Sequence, residues 1–432
     1  MSLSNFTLKL LNLKDENINF TEKLEACTIK GVLYNIINAT LTYNPQACPI
    51  CGCINEDFSI IKYGTKISNI KILPCNGTPT ILRLRKQRFL CKECSHTFIA
   101  HTNIVAPNCF ISNQVKLKVL ETLSLKISEK DISIMNYISH STVNRAINNS
   151  YTSFKPHLGY LPKHLMFDEF KSTKDAKGSM SFIVVDADTH DIIDIVENRQ
   201  LPFLKKYFGN YTKAARSKVE TICIDMYDPY ISLIKELFPN TKIILDRFHI
   251  VQLLSRALNK TRIKTMSNYS TYSIEYKRLK RYWKLFQINE SYLTRTEFKK
   301  KIHFPQWVST KTLVETSLSI DNQLYSTYNA FQMLYYDINT KDKNALKNHL
   351  KFYQTEDISD YMKIAINSIL KNFDYVANAL DYKYSNGAIE GINNYIKTIK
   401  RIAFGYKSFY HFRNRILISK KLVKPIEKRQ AA

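Results

Sequence analysis

The sequence has little glycine, little proline and no long apolar run. Only 10 of its 432 residues are Gly and 12 are Pro, and no stretch rich in either indicates a linker, so boundaries have to be inferred from changes in pattern. No apolar run approaches the ~18–20 residues that cross a bilayer as a helix. The first residues, MSLSNFTLKLLNLKDENINF, lack the regions of a secretion signal. These absences predict a cytoplasmic protein without a membrane partner.

Acidic residues are also few. The chain has 37 Asp and Glu against 63 Lys and Arg, a formal net charge of +26, and 44% hydrophobic residues. That hydrophobic share is enough for packed cores, so the chain is not a disordered polyelectrolyte. A positive field of this size attracts polyanions, and nucleic acid is the predicted partner. An anionic membrane surface is the competing interpretation, and no motif supports it.

Nine cysteines in a protein without an export signal favour metal binding over disulfides. Four of them form two C-x-x-C pairs, Cys48 with Cys51 and Cys91 with Cys94, separated by 39 residues. Two such turns present four thiolates, the number that a tetrahedral structural Zn²⁺ needs. The other residues that could serve as ligands are Cys53, Cys75, His96 and His101.

Residues 106–155 have the pattern of short helices separated by turns. A polar cap is followed by a short segment with Asn and Arg near its start, which is typical of the recognition helix of a helix-turn-helix domain. The predicted DNA contacts are Ser141, Thr142, Asn144 and Arg145. The alternative is an ordinary three-helix packing unit.

The chain changes from mixed to alternating structure after residue 163. Residues 1–44 are expected to hold one or two short helices. Apolar runs of strand length then occur in HLMFDEF, SMSFIVVDADT, DIIDIVE, VETICIDM and TKIILD, with helical segments between the later ones, which predicts an α/β sheet layer. Residues from about 250 to 380 are predicted to be helical, and residues 385–430 helical and basic. The fold class is therefore multidomain, α+β and α/β.

Three acids are candidates for one catalytic metal site. Asp168 and Asp225 lie at predicted strand ends, where side chains converge in an α/β sheet, and Glu390 opens a late helix. Two-metal phosphoryl transfer needs two or three carboxylates held close together. Asp246, with His249 beside it, is the most serious rival, although it could simply cap the helix that it begins. Further acids at strand ends are Glu169, which alternation places on the opposite face from Asp168, Asp186 and Asp188.

The helix that contains Glu390 is followed by basic residues on the same face. Lys397 and Arg401 fall at positions i+7 and i+11 from Glu390, and with Lys400 they are predicted to contact DNA phosphates. The helical block adds further candidate phosphate contacts: Arg256, Arg262, Lys264, Lys277, Arg278, Lys280 and Arg281. A solvated basic surface is the alternative for each of them.

Several motifs occur in an order that resembles a known family. They are CPICG, ILPCNGTPTILRLRKQRFLCKEC, FDEF, SFIVVDADT, DMYDPY, FPNTKIILDRFHIV, NGAIEGINNYIKTIKRIAFGY and HFRNRI. Together they resemble the ISL-three group of zinc-ribbon DDE transposases of bacterial insertion sequences, over most of the chain. The resemblance implies a zinc-ribbon region in residues 1–105, a helix-turn-helix domain in 106–155, and a ribonuclease-H-like catalytic domain in 160–432 with a helical insertion at about 250–380.

The resemblance also implies an activity. It assigns Asp168, Asp225 and Glu390 as the catalytic triad that holds Mg²⁺ or Mn²⁺, for phosphodiester hydrolysis at the element ends and strand transfer. The four cysteines of the C-x-x-C pairs become the Zn²⁺ ligands. The implied partners are double-stranded DNA, at element ends and target, and further copies of the chain in a homodimer or higher oligomer. The implied location is the bacterial nucleoid. The alternative function is a non-catalytic, sequence-specific DNA-binding regulator derived from a transposase.

Overall fold

A computed structural model of the chain describes residues 11–13, 15–150 and 156–420. The chain divides into two compact units, the first formed by residues 1–155 with 396–432 and the second by residues 156–395. The first unit thus includes part of the basic tail that was predicted to belong to the catalytic domain. Because compactness does not test which segments fold independently, the three predicted domain boundaries stay predictions.

The first unit contains a five-stranded sheet in the order β1-β2-β4-β3, with β5 paired to β4. Its strands are β1 (Ile18–Ile29), β2 (Val32–Leu41), β3 (Ile60–Cys75), β4 (Thr78–Cys91) and β5 (Thr97–Ile99). The pair β2–β4 is parallel and the other pairs are antiparallel. In β4, Leu82 and Leu84 are buried while Arg85 is exposed, because successive side chains point to opposite faces of a strand.

The predicted helices in residues 1–44 are wrong for the described part of that segment, which forms the hairpin β1–β2. Its turn is Lys30–Gly31, and both residues have positive φ, 52° and 78°. Two consecutive positive φ angles are typical of the tight turns that join antiparallel strands. This turn and the apolar residues spaced along VLYNIINATL indicate a hairpin, and they outweigh the weak helical pattern.

Three short helices follow the sheet: α1 (Asn113–Thr122), α2 (Glu129–Met135) and α3 (His140–Ser150). The side chains of Ser112 and Ser128 cap the first two by accepting hydrogen bonds from Val115 N and Asp131 N. Their apolar faces form one cluster. The helices lie where the sequence predicted them, whereas their assignment as a helix-turn-helix domain stays a prediction.

The second unit contains a mixed sheet in the order β10-β9-β6-β7-β8. Its strands are β6 (His164–Lys171), β7 (Met180–Asp186), β8 (Ile192–Val196), β9 (Thr221–Ile224) and β10 (Lys242–Leu245). Strands β6, β7 and β8 are antiparallel, whereas β9 runs parallel to both β6 and β10. The connecting helices are α4 (Leu201–Gly209), α5 (Lys213–Ser217) and α6 (Asp228–Leu237). This arrangement confirms the predicted mixed α/β architecture.

A mostly helical segment follows β10. Its helices are α7 (Arg247–Ser267), α8 (Ile274–Arg281), α9 (Thr310–Leu318), α10 (Asn322–Thr340), α11 (Lys343–Thr355), α12 (Asp360–Lys371) and α13 (Phe373–Asp381). Two 3-10 turns and the two-residue strands β11 (Lys299–Lys300) and β12 (Trp307–Val308) lie between α8 and α9. No helix in the described ranges is both long enough and apolar enough to cross a membrane.

The last two described helices are α14 (Gly387–Ile402) and α15 (Phe409–Ser419). Most of α15 is buried in the first unit. Its Arg415 donates hydrogen bonds to the carbonyl oxygens of Leu123, Leu125 (3.2 Å) and Ile127 (3.0 Å), just after α1. A buried guanidinium with its donors satisfied in this way joins the tail to the N-terminal helices.

Candidate metal sites

The four cysteines of the C-x-x-C pairs come together in the first unit. Their sulfur atoms all lie within 4.8 Å of one another. The Sγ–Sγ distances are 3.8 Å for both Cys48–Cys94 and Cys51–Cys91. Four sulfurs bound tetrahedrally at ≈ 2.3 Å have edges of ~3.8 Å. The cluster therefore fits a structural Zn²⁺, as the sequence predicted.

The electrostatics of the cluster suit a cation. Hydrogen bonds from the backbone N–H groups of Cys51 and Ile50 lower the pKa of Cys48 to about 6. The backbone N–H of Cys53 lowers the pKa of Cys51, but the neighbouring thiols and burial together raise it by more, to about 12. Cys48 thus ionises readily, whereas the neighbouring sulfurs disfavour ionisation of Cys51. A bound divalent cation would stabilise both thiolates.

The other cysteines and histidines weighed from the sequence are not part of this cluster. Among the described residues, the set with metal-binding spacing in this region contains only the four paired cysteines. Cys53 Sγ instead contacts Ile54 O and Ser59 Oγ, and His96 Nδ1 lies 2.8 Å from Cys94 O.

Strand register brings three aspartates side by side in the second unit. Met166 on β6 pairs with Cys223 on β9, and Ile224 on β9 pairs with Leu245 on β10. Extending these parallel registers by one or two residues places Asp168, Asp225 and Asp246 in one row across adjacent strands. Asp225 directly follows β9 and Asp246 directly follows β10, at the carboxyl edge where sites of α/β sheets form.

His249 joins two of these aspartates. Its Nδ1 lies 2.9 Å from Asp225 Oδ1 and 2.9 Å from Asp246 Oδ2. Asp246 precedes α7 but makes no capping side-chain hydrogen bond. Helix capping, the alternative role for Asp246, therefore does not account for its main contacts. Asp225, Asp246 and His249 together have metal-binding spacing. The rival pair from the sequence therefore belongs to the same site as Asp225.

The start of α14 supplies the remaining contacts. Asn386 donates from its side chain to Asp225 Oδ1 (3.1 Å) and from its backbone to Asp246 Oδ1 (3.0 Å). Asn393 Nδ2 donates to Asp168 Oδ2 (2.7 Å). Glu390 is exposed and lies between these two asparagines on one helix face, since spacings of four and three residues repeat the helical period.

Two of these aspartates border a cleft of about 370 Å³. Asp168, Asp225 and His249 line it together with the cationic side chains of Arg199 and Arg256, whereas Glu390 is not among its lining residues. Glu169 also borders the cleft, but its carboxylate is paired with Arg199 and accepts a hydrogen bond from Tyr230 (2.7 Å). Asp168 and Glu169 thus both line the cleft, although strand alternation predicted that only one of them would face it.

The carboxylates are crowded. Burial raises the pKa of Asp168 to about 7, and the charges of Asp225 and Glu169 contribute to the rise. Hydrogen bonds to Asp225 and Asp246 raise the pKa of His249 to about 10. Burial raises the pKa of Asp246, but its hydrogen bonds from His249 and the Asn386 backbone lower it by more. Oxygen-rich, negatively charged sites of this kind are the ones that Mg²⁺ or Mn²⁺ prefers, so the residues fit such an ion.

The DNA contacts predicted on α3 and α14 lie in the first unit. On α3, Ser141 and Arg145 are exposed while Thr142 and Asn144 are partly buried. On α14, Lys397 and Arg401 are exposed, and Lys400 Nζ lies 5.8 Å from the ring centre of Phe412. The roles of these residues in DNA binding stay predictions.

One basic residue of the helical block was assigned wrongly. Arg262 was a candidate phosphate contact, but it is only 7% exposed. Its guanidinium donates to Leu279 O and Asn259 Oδ1, both at 2.9 Å. Arg262 lies on the buried face of α7, one turn after the buried Leu258. The net charge of the segment does not reveal which face a basic residue occupies. Arg256, Lys264, Lys280 and Arg281 are exposed.

Sequence reasoning missed Asn386 and Asn393 as members of the site. The signal was present in the motif SNGAIEGIN, since both lie on the helix face of Glu390. The prediction for this site rested on carboxylates as metal ligands and did not include the neutral amides that donate hydrogen bonds to them.

Comparison with known proteins adds two family matches. Residues 165–416 match a profile described as "Transposase", of the ISL-three DDE type. Residues 44–94 match one described as "zinc-finger of transposase IS204/IS1001/IS1096/IS1165". A protein of Lactococcus lactis subsp. lactis named "ATP-dependent protease" is 47% identical over 55 residues, 12% of this chain and 18% of that protein. The chain thus spans less than a fifth of that relative's length.

Proposed function

Because this chain belongs to the ISL-three family of transposases, we propose that it is a metal-dependent enzyme that cuts and joins DNA at the ends of an insertion sequence. The observation that carries the proposal is the row of Asp168, Asp225 and Asp246 at the edge of one sheet. The first two of these aspartates line a cleft that also contains arginines. The reaction is phosphodiester hydrolysis at an element end, followed by attack of the freed 3′-hydroxyl on target DNA.

Asp168 and Asp225 would hold Mg²⁺ or Mn²⁺, and Glu390 would complete the ligand set as the third member of the triad. The ion would activate the attacking oxygen and stabilise the leaving one. The chain itself would orient the substrate, since Arg199 and Arg256 line the cleft and can contact phosphate oxygens. Water and the DNA 3′-hydroxyl are the nucleophiles, so no covalent enzyme intermediate is needed.

Binding to DNA would use other parts of the chain. The zinc ribbon of residues 1–105 and a helix-turn-helix domain of residues 106–155, with Ser141, Thr142, Asn144 and Arg145 at its reading surface, would recognise the terminal inverted repeats. Lys397, Lys400 and Arg401 would contact phosphates without reading sequence. The sheet order β10-β9-β6-β7-β8 supports a ribonuclease-H-like catalytic domain in residues 160–432 with a helical insertion. Two or more copies would act together on DNA in the bacterial nucleoid.

The test is strand cleavage and joining on a labelled duplex that carries the element's terminal repeats, in Mg²⁺ and in EDTA. We expect products in Mg²⁺ alone, and we expect Asp168→Ala, Asp225→Ala and Glu390→Ala to lose them while keeping DNA binding. Full activity in all three variants would overturn the triad. Binding by the wild-type chain without cleavage under any divalent cation would favour the second candidate, a non-catalytic DNA-binding regulator.

A further inference from the structure

Two buried asparagines flank Glu390 and bind the aspartates of the site. Asn386 is 4% exposed and Asn393 is 7% exposed. Asn386 donates to Asp225 and, through its backbone, to Asp246, while Asn393 donates to Asp168. Each of the three aspartates in the row therefore receives a hydrogen bond either from Asn386, just before α14, or from Asn393 within it.

Both amides also donate to backbone of β6. Asn386 Nδ2 lies 3.4 Å from Phe167 O, and Asn393 Nδ2 lies 3.4 Å from Glu169 O. These carbonyls flank Asp168 in sequence. The two amides thus contact the backbone on either side of Asp168. Each amide donates both to a carboxylate of the site and to one of these backbone carbonyls.

The acceptor atoms of the same amides are unused. Asn386 Oδ1 and Asn393 Oδ1 are buried and have no hydrogen-bond partner among the described residues. Buried polar atoms are nearly always paired, with protein or with ordered water. Each of these unpaired acceptors, on a residue that also binds the acidic site, requires a hydrogen-bond donor, and the water shell of a cation held by the aspartates can supply one.

A neutral amide suits this position better than a charged side chain. Lysine or arginine would neutralise the aspartates and compete with a divalent cation for them. Aspartate would have no proton to donate and would add repulsion. An amide orients a carboxylate while leaving its charge available, which is the usual role of residues that support metal ligands.

We propose that Asn386 and Asn393 are positioning residues that hold Asp225 and Asp168 in place and accept hydrogen bonds from the water shell of the divalent cation. This inference rests on the proposed metal-dependent function. The competing explanation is that the two amides only fasten α14 to the sheet, without any link to cation binding.

The experiment measures Mn²⁺ affinity of the full chain from the spectrum of free Mn²⁺, together with thermal unfolding in EDTA and in excess Mg²⁺. The variants are Asn386→Ala and Asn393→Ala. Their matched control is Asn378→Ala, which removes a part-buried amide that donates to Ile243 O (2.8 Å) and not to a carboxylate. We expect Mn²⁺ affinity to fall about tenfold or more in the two test variants and to stay unchanged in the control.

The isosteric changes Asn386→Asp and Asn393→Asp test the inference without leaving a cavity. Each replaces a donor with a negative charge beside an aspartate, so the unfolding temperature should fall in EDTA and recover largely in Mg²⁺. In Asn378→Asp the loss should be the same in both conditions, because the amide contacts a carbonyl. A purely structural role predicts equal losses in both conditions for all three.

Three outcomes are informative. Wild-type affinity in Asn386→Ala and Asn393→Ala, or losses in their Asp variants that Mg²⁺ does not reduce, would overturn the positioning role alone. If the wild-type chain binds no Mn²⁺ and matches Asp225→Ala in every assay, both this inference and the metal-dependent function fail. Weakened binding confined to the two test positions supports the inference.

Discussion

The two candidate metal sites differ in how the chain builds them. The cysteine cluster takes its ligands from two turns, each contributing two cysteines three positions apart. The carboxylate site takes its aspartates from three adjacent strands or the residues that directly follow them, with Asp168 and Asp225 separated by 57 positions. Its supporting amides come from the start of α14 and the residue before it. A site with paired local ligands is visible in the sequence, whereas a site assembled by sheet register becomes visible only when the sheet forms.

The sites also differ in what they should contribute. Four thiolates leave a zinc ion no open position, so the cysteine cluster should act in folding. Asp168 and Asp225 line a cleft that also contains arginines, and burial, with the nearby charges of Asp225 and Glu169, raises the pKa of Asp168 to about 7. The carboxylate site keeps room for substrate, and it should contribute less to the stability of the fold than the cysteine cluster does. Removing a ligand should therefore unfold the first site and only inactivate the second.

The largest effect is expected for Cys91→Ser. Zinc contributes about 10–16 kcal/mol to the folding of small zinc domains, so losing one ligand should release zinc and unfold the sheet around Cys91. Metal analysis and thermal unfolding measure the result. Cys27→Ser, at an exposed cysteine outside the cluster, is the control and should keep wild-type zinc content. Full zinc content in Cys91→Ser would show that another residue can serve as ligand.

Asp225→Ala should separate activity from stability. Loss of a cation ligand costs several kcal/mol of transition-state stabilisation, so cleavage of the labelled duplex should fall about a thousandfold. The unfolding temperature should stay close to wild type, because the change also removes a charge from a crowded site. Asp228→Ala, at an exposed acid paired with Lys371, is the matched control. Unfolding of Asp225→Ala would remove the proposed contrast between the sites.

A moderate, pH-dependent effect is expected at Glu129, which joins α2 to α15 in the first unit. Burial raises the pKa of Glu129, but its hydrogen bond with His411 and nearby positive charges lower it overall. Since the folded-state pKa lies below the usual value of 4.5, the stabilisation is present above that value and lost as pH falls through the folded-state pKa. Glu129→Gln should lower the free energy of unfolding at neutral pH by about 1–3 kcal/mol.

Unfolding by urea at a series of pH values checks this prediction. The difference between wild type and Glu129→Gln should shrink as the solution becomes more acidic. Glu121→Gln, at an exposed residue 3.9 Å from Lys118, should change stability little at any pH. A constant difference for Glu129→Gln at all pH values would contradict the ion-pair explanation.

The smallest effect is expected for Cys53→Ser. Its sulfur contacts Ile54 O and Ser59 Oγ and is outside the four-sulfur cluster. Zinc content should be unchanged, and stability should change by no more than about 0.5 kcal/mol. A loss of zinc comparable with that in Cys91→Ser would show that Cys53 exchanges with one of the four ligands.

Parts of the fold could be predicted because they depend on local patterns. Apolar runs predicted the strands of the second sheet, and cap residues such as Ser112 and Ser128 begin helices where the pattern indicates. The hairpin β1–β2 was missed, since the Lys30–Gly31 turn was not recognised. The burial of Arg262 was missed because it depends on how α7 packs, which the net charge does not describe.

The candidate site was predicted in part for the same reason. Asp168 and Asp225 could be proposed from their places at strand ends, and the structure puts them in one cleft. Their assignment as catalytic residues with Glu390 stays a prediction. Asp246 was predicted only as a rival to the triad, with helix capping as the alternative, and its carboxylate contacts His249 and the Asn386 backbone. The contact with Asn386 joins residues 140 positions apart, a separation over which sequence spacing carries no geometric information.

By itself, the sequence determined the zinc site, the basic charge and the helical face that carries Glu390. Each of these depends on spacing within a few residues or on composition. The tertiary structure alone decided which acids lie together, that His249 joins Asp225 to Asp246, and that Asn386 and Asn393 hold the aspartates from α14. The physical reason is that strand register and helix docking set those distances, and both result from packing of the whole sheet.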